Sequence, residues 1–178
     1  MVFYMKRPSD FWEIFYFVMG LLGLVLIFLE IDIYRVTIIK LSIPIFIICF
    51  VGLITFFITG KNYNKTYSKK GFLFPLAQNI ISWGFVASYV FMATNYYLAD
   101  NNVKRYTFQI KRKSSLSASR RTSTRDPLVA FNYFGSDKEL VFRYTYTNKV
   151  AQADSVVIGI KKGLLGFEII DNYDVIGK

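Results

Sequence analysis

The residues from Tyr96 to Arg105, Tyr-Tyr-Leu-Ala-Asp-Asn-Asn-Val-Lys-Arg, decide how this chain is organised. Before them, long apolar stretches follow one another; after them, apolar and polar residues alternate with a period of two. Runs of about 20 apolar residues are typical of transmembrane helices, whereas a period of two is typical of strands with one buried face. We therefore predict a membrane domain over residues 1–102 and a soluble β module over residues 103–178.

Three stretches before this boundary are long enough to cross a bilayer, and they cover residues 11–29, 41–59 and 72–97. Lys6-Arg7 precedes the first stretch, as basic residues precede the apolar core of a signal peptide. However, Glu30-Ile-Asp-Ile-Tyr-Arg follows it in place of a small-residue cleavage site. We expect an uncleaved first span, with Glu30 in the loop that follows it.

The third stretch is more polar than the other two. Lipid offers amide and hydroxyl groups no hydrogen bond, so the polar face of this span should turn toward protein. The predicted helix-packing surface consists of Gln78, Asn79, Ser82, Gly84 and Ser88. Two interpretations stay open: this face contacts the first two spans of the same chain, or it is a seam for a second protein or a homo-oligomer.

The alternation after residue 102 predicts about five short antiparallel strands, arranged as a small open barrel or sandwich. The strands are expected near residues 103–110, 128–134, 139–147, 155–161 and 164–170. Lys162-Gly163 has the composition of a two-residue hairpin turn between the last two strands. An alternative combines the connector at residues 148–154 with the carboxyl-terminal segment in a small α+β unit.

The excess charge of the module is concentrated at its start. The chain has a net charge of +10, and residues 104–125 carry eight Lys or Arg and no acidic residue. We predict a basic loop at residues 111–125 that contacts a partner or an anion. Its candidate contact residues are Lys111, Arg112, Lys113, Arg120, Arg121 and Arg125. The alternative is a solvated loop whose charge only keeps the module soluble.

The sequence gives little support to enzymatic chemistry. It contains no histidine, the usual general base and metal ligand, and its one cysteine, Cys49, lies in an apolar run. Asp171-Asn-Tyr-Asp174 brings two carboxylates together but lacks the remaining ligands of a calcium loop. We therefore predict a non-enzymatic protein with no catalytic, cofactor-binding or metal-binding residues.

The sidedness of the module determines which partners it can meet. Lysines of the short loop at residues 61–71 favour the cytoplasm, which places the module outside. Together with a composition rich in Ile, Phe, Tyr, Asn and Lys, this suggests a protein of the bacterial inner (plasma) membrane with an extracytoplasmic module. The expected partners are membrane lipid and another membrane or envelope protein, or a second copy of the chain. The chain would be an accessory subunit of an envelope complex or an immunity-type protein.

The alternative function is that of a cytoplasm-facing membrane regulator. Its basic segment would bind anionic lipid or nucleic acid, because both present closely spaced negative charges. Nucleic acid is the less favoured ligand, since the aromatic residues of the module alternate along strands and do not interleave with the cations.

Overall fold

The structure, a computed structural model, describes residues 8–67, 71–119 and 122–177. It consists of three long apolar helices followed by an antiparallel sheet that forms an open half-barrel, which confirms the predicted fold class. The chain divides into two compact units. The first takes the chain up to Ala99 together with Gly163–Glu168, and the second takes Asp100–Lys162 and the chain from Ile169 onward.

Three helices in the first unit are long and apolar enough to cross a membrane, over Phe11–Val36, Ser42–Thr66 and Leu73–Tyr97. Helix α1 covers Pro8–Val36 and leads into a two-residue strand, β1, at Thr37–Ile38. Helix α2 covers Ser42–Thr66. The third span is built from α3 (Leu73–Asn79), a π-helical segment (Ile80–Gly84) and α4 (Phe85–Tyr97).

The first span is longer than the sequence pattern indicates. Helix α1 continues to Val36, so Glu30 is a helical residue, and its placement in a loop after Leu29 is wrong. Asp32 and Arg35 stay on an exposed face, 3.8 Å apart, whereas Glu30 is only 4% exposed. The helix accommodates these charged residues because Asp32 and Arg35 remain on the exposed face, while Glu30 on the packed face accepts a hydrogen bond from Ser88.

The second unit holds five of the six strands, in the order β6-β5-β2-β3-β4. Its strands are β2 (Lys104–Ser119), β3 (Thr122–Tyr133), β4 (Ser136–Val141), β5 (Ala153–Lys162) and β6 (Glu168–Gly177). Strand β2 pairs with two different strands along its length. Lys104–Gln109 pair with β5, and the residues from Ile110 onward pair with β3. Side chains such as Phe131, Val156 and Ile158 fill the core and are completely buried.

The predicted basic loop at residues 111–125 is wrong for the residues that the structure describes, because residues 111–119 lie in β2 and residues 122–125 lie in β3. Lys113 pairs with Val129 and Ser115 with Pro127, and the antiparallel register continues to Ser119 opposite Thr122. Lysine and serine have weak strand propensity, but their backbone groups pair as well as any others once β3 lies beside them. The core residues of β3 therefore extend the hairpin into a segment whose own composition favours a loop.

Two other strand predictions differ from the structure. The strand expected at residues 139–147 ends at Val141, and a single turn of 3-10 helix at Tyr144–Tyr146 leads into helix α5 at Thr147–Gln152. Phe142 is buried as expected, but Tyr144 is 54% exposed. The last hairpin has a loop of residues 163–167 in place of a two-residue turn, so β6 begins at Glu168 and not near Leu164. Gly166 in that loop has φ +89°, which favours glycine.

Candidate binding cleft and intramembrane contacts

The described cations among the predicted contact residues fall into two groups, and the first group is neutralised within the module. The Lys111 ammonium donates a hydrogen bond to Asp137 at 2.8 Å, and Arg112 donates one to Glu139 at 2.7 Å. Arg112 and Glu139 reach each other because both are cross-strand neighbours of Ala130 on β3. The hydrogen bond from Lys111, helped by one from Asn132, holds the pKa of the exposed Asp137 carboxyl below its usual value. Lys111 and Arg112 are therefore already paired with acids of β4.

The second group, Lys113 and Arg125, lines an open cleft of about 530 Å³. The Lys113 ammonium donates a hydrogen bond to the carbonyl oxygen of Ala151 at 2.8 Å, which holds it at the cleft without neutralising its charge. Arg125 is exposed and forms no ion pair with a described residue. The cleft therefore presents two cations that no carboxylate of the described chain compensates.

The rest of the cleft combines apolar surface with hydroxyl groups. Its walls come from the β2–β3 hairpin on one side and from the segment around helix α5 on the other. Its lining residues are Lys113, Ser114, Ser115, Arg125, Pro127, Tyr144, Thr147, Val150 and Ala151. Apolar surface with a few placed polar and charged groups is typical of ligand sites in proteins. This arrangement suits a ligand that carries carboxylates on a partly apolar backbone.

No family model, curated protein or solved structure matches this chain.

Arg120 and Arg121, the remaining two predicted contact residues, lie outside the described residues. Of the six predicted cations, the structure thus brings Lys113 and Arg125 together at one cleft and places Lys111 and Arg112 in ion pairs.

The polar residues predicted in the third span contact the other two helices of the same chain. Gln78 donates a hydrogen bond to the carbonyl oxygen of Tyr16 in α1 at 2.7 Å. Asn79 accepts one from Thr59 of α2 at 2.8 Å. Ser82, which is buried, donates to the carbonyl oxygen of Gln78 one turn earlier. Each of these groups thus has a partner within the unit, as a polar group surrounded by lipid requires.

Glycines allow close approach of the helices along the π-helical segment. A Cβ atom on Gly84 would lie 2.6 Å from the Ile48 carbonyl oxygen, and one on Gly52 would lie 2.8 Å from the Ile80 Cα. On α1, a Cβ atom on Gly23 would overlap the carbonyl oxygen of Ile81. The backbone of the π-helical segment therefore contacts both neighbouring helices with no room for a side chain.

Glu30 is the residue of this unit that sequence reasoning missed. The fifth predicted residue, Ser88, donates a hydrogen bond of 2.6 Å to Glu30 Oε1, and both residues are buried. The sequence carries only a spacing as a signal: Tyr16, Gly23 and Glu30 recur every seven residues, which places them on one face of a helix. The structure shows that all three are buried on that face of α1.

Proposed function

We propose that this chain is a non-enzymatic membrane-anchored binding protein whose module holds an acidic segment of a partner protein in the cleft. The observation that carries this proposal is the contrast between paired and unpaired cations on one hairpin. Lys111 and Arg112 already have carboxylate partners, whereas Lys113 and Arg125 face an open cleft without any. A carboxylate from another chain would satisfy them through charge-assisted hydrogen bonds.

A peptide segment suits this cleft better than a flat anionic surface. The two cations lie beside apolar and hydroxyl-bearing groups, including the buried Pro127 and Val150 and the half-exposed Tyr144. A peptide can fill a cleft with its side chains while its carboxylates meet the cations. We assign the protein to the bacterial plasma membrane, as an accessory subunit of an envelope complex or an immunity-type protein.

The cleft can be tested with two double variants that remove the same amount of charge. Lys113→Gln with Arg125→Gln is expected to weaken binding of a fluorescent glutamate-rich peptide about tenfold or more, since hydrogen bonds to charged groups contribute ~1.5–3 kcal/mol each. Lys111→Gln with Arg112→Gln removes two paired cations and should change the affinity little. Fluorescence anisotropy of the full chain in nanodiscs of zwitterionic lipid measures both, with a glutamine-rich peptide of equal length as the ligand control.

The same experiment separates the alternatives. Equal losses in the two double variants would mean that net charge and not the cleft governs binding. If the peptide does not bind, whereas anionic vesicles or single-stranded DNA do, the proposal gives way to the membrane regulator. In cells, a photo-crosslinker at Ser115 should capture a partner that one at Asp154 does not, and the Lys113→Gln, Arg125→Gln variant should lose that product.

The sidedness of the module is tested by fusions after Lys178. With the module outside, a carboxyl-terminal alkaline phosphatase is expected to be active and a green fluorescent protein dark, because each reporter matures on one side of the membrane only. The positive-inside tendency of the loop at residues 61–71 is the physical reason for this expectation. An inactive phosphatase together with a fluorescent green fluorescent protein would place the cleft in the cytoplasm. That result would contradict the proposal that the module binds an envelope protein outside the membrane.

A further inference from the structure

The loop at residues 163–167, Gly-Leu-Leu-Gly-Phe, has several of its backbone polar groups hydrogen-bonded to protein atoms. The Gly163 amide donates to the Phe167 carbonyl oxygen, and the Gly166 amide donates to the Gly163 carbonyl oxygen, both at 2.9 Å. The buried Asn95 accepts a hydrogen bond from the Leu165 amide and donates one to the Phe167 carbonyl oxygen, each at 3.1 Å. Non-helical backbone is tolerated at membrane depth only where such protein partners are supplied.

The contacts of Phe167 place this loop beside the membrane-spanning part of the third helix. The Phe167 ring packs edge-to-face on Phe91, with 5.8 Å between ring centroids, and also packs against the buried cluster of Ile33, Ile39 and Met92. Phe91 lies six residues before the end of α4 at Tyr97. At 1.5 Å per residue this is about 9 Å inward from the end of the helix.

Two leucines of the loop are nevertheless partly open. Leu164 is 58% exposed and Leu165 is 41% exposed, although the amide of Leu165 is held by Asn95 at the end of the span. The last residues of the same span are apolar and open as well, since Tyr97 and Leu98, two and three residues after Asn95, are more than half exposed. The leucines are therefore exposed apolar groups held at the end of a membrane-spanning helix.

We propose that residues 163–167 form a re-entrant turn whose leucines, Leu164 and Leu165, contact the acyl chains of the surrounding lipid. Burial of apolar area drives this contact, because placing a leucine side chain in hydrocarbon is favourable, while the Gly163, Leu165 and Gly166 amides keep their hydrogen bonds to protein oxygens. The turn is thus a lipid contact site separate from the spans, and it is independent of what the cleft binds.

The test places an environment-sensitive fluorophore on a cysteine at each leucine, in the full chain carrying Cys49→Ala and reconstituted in nanodiscs. For Leu164→Cys and Leu165→Cys we expect a blue-shifted emission, quenching by lipids with a nitroxide near the start of the acyl chain, and loss of quenching by iodide. Phe57→Cys, in the exposed face of α2, is the lipid-facing reference, and Asp154→Cys is the exposed polar reference.

Two results would overturn the proposal. Iodide quenching equal to that at Asp154 would mean that the leucines face water, and protection from both quenchers would mean that protein covers them. If the labelled variants are not monodisperse in detergent, tryptophan at the same positions, in a chain lacking Trp12 and Trp83, provides the same readout with brominated lipids. The expected result there is again quenching by the lipid and not by iodide.

Discussion

Gly23→Ala is expected to lower the free energy of unfolding of the membrane unit by about 3 kcal/mol, at the upper end of the usual overpacking cost. The added Cβ atom would overlap the Ile81 carbonyl oxygen and lie 2.9 Å from its carbonyl carbon. Both are backbone atoms of the π-helical segment, so no side chain can turn away to make room. The helices would have to separate, and the contacts of the whole π-helical segment would be lost with them.

Gly20→Ala is the matched control for this prediction, since it makes the same change one turn earlier on the same helix. The nearest atom to its Cβ would be Gln78 Nε2 at 3.0 Å, a side-chain atom that has to move only slightly and can keep its hydrogen bond to the Tyr16 carbonyl oxygen. Alanine is also favoured over glycine within a helix by roughly 0.5–1 kcal/mol. We therefore expect Gly20→Ala to be close to neutral.

Both variants can be unfolded in mixed micelles that contain an increasing fraction of a denaturing detergent. Tryptophan fluorescence monitors the transition, and its midpoint reports the stability of each variant. The prediction is that Gly23→Ala unfolds at a clearly lower denaturant fraction than Gly20→Ala. Similar midpoints for the two alanine variants would mean that α1 and the π-helical segment do not approach as closely as the structure has them.

The parts of the fold that sequence could predict are those in which one residue pattern dominates. Three apolar stretches and a period of two are strong signals, because lipid and a sheet core each admit few polar groups. The polar residues of the third span are an equally clear signal. A group such as Asn79 needs a hydrogen-bond partner within the protein, because lipid offers none. The choice of that partner, Thr59, depends on helix packing and has no local signal.

The misassigned elements are those in which a distant segment overrides local composition. The lysines and serines of β2 form a strand because β3 pairs with them, and Glu30 remains helical because Ser88 meets it from another span. The cleft likewise forms from segments that are distant in sequence. Lys113 and Arg125 are separated in sequence from Tyr144 and Val150, and only the fold brings them together. Sequence identified the charge but not which cations would stay unpaired.

The second large effect is expected at Ser88, through the carboxyl group of Glu30. The Ser88 hydroxyl is the hydrogen-bond donor to Glu30 Oε1, and Glu30 Oε2 has no hydrogen-bond partner among the described residues. Ser88→Ala would leave the whole carboxyl group buried without one. Leaving a buried polar group without its hydrogen-bond partner costs about 1–3 kcal/mol, and we expect a loss of stability near the upper end of that range because lipid offers the carboxyl group no other donor.

A double-mutant cycle separates this effect from the packing of the serine itself. In the Glu30→Leu background, Ser88→Ala should cost much less, because no carboxyl group is left unpaired and the serine hydroxyl can donate within its own helix. The double variant should therefore be more stable than Ser88→Ala alone. Glu30→Gln is the isosteric control, since it removes the ionisable group and retains a carbonyl oxygen for Ser88.

The cycle uses the same micelle unfolding assay, with the coupling free energy between the two sites as the readout. A large coupling means that Ser88 is needed because Glu30 lies opposite it within the span, where a polar group without a partner is expensive. If Ser88→Ala costs the same with Glu30 and with Glu30→Leu, the serine acts through its small size, and the 2.6 Å hydrogen bond contributes nothing measurable.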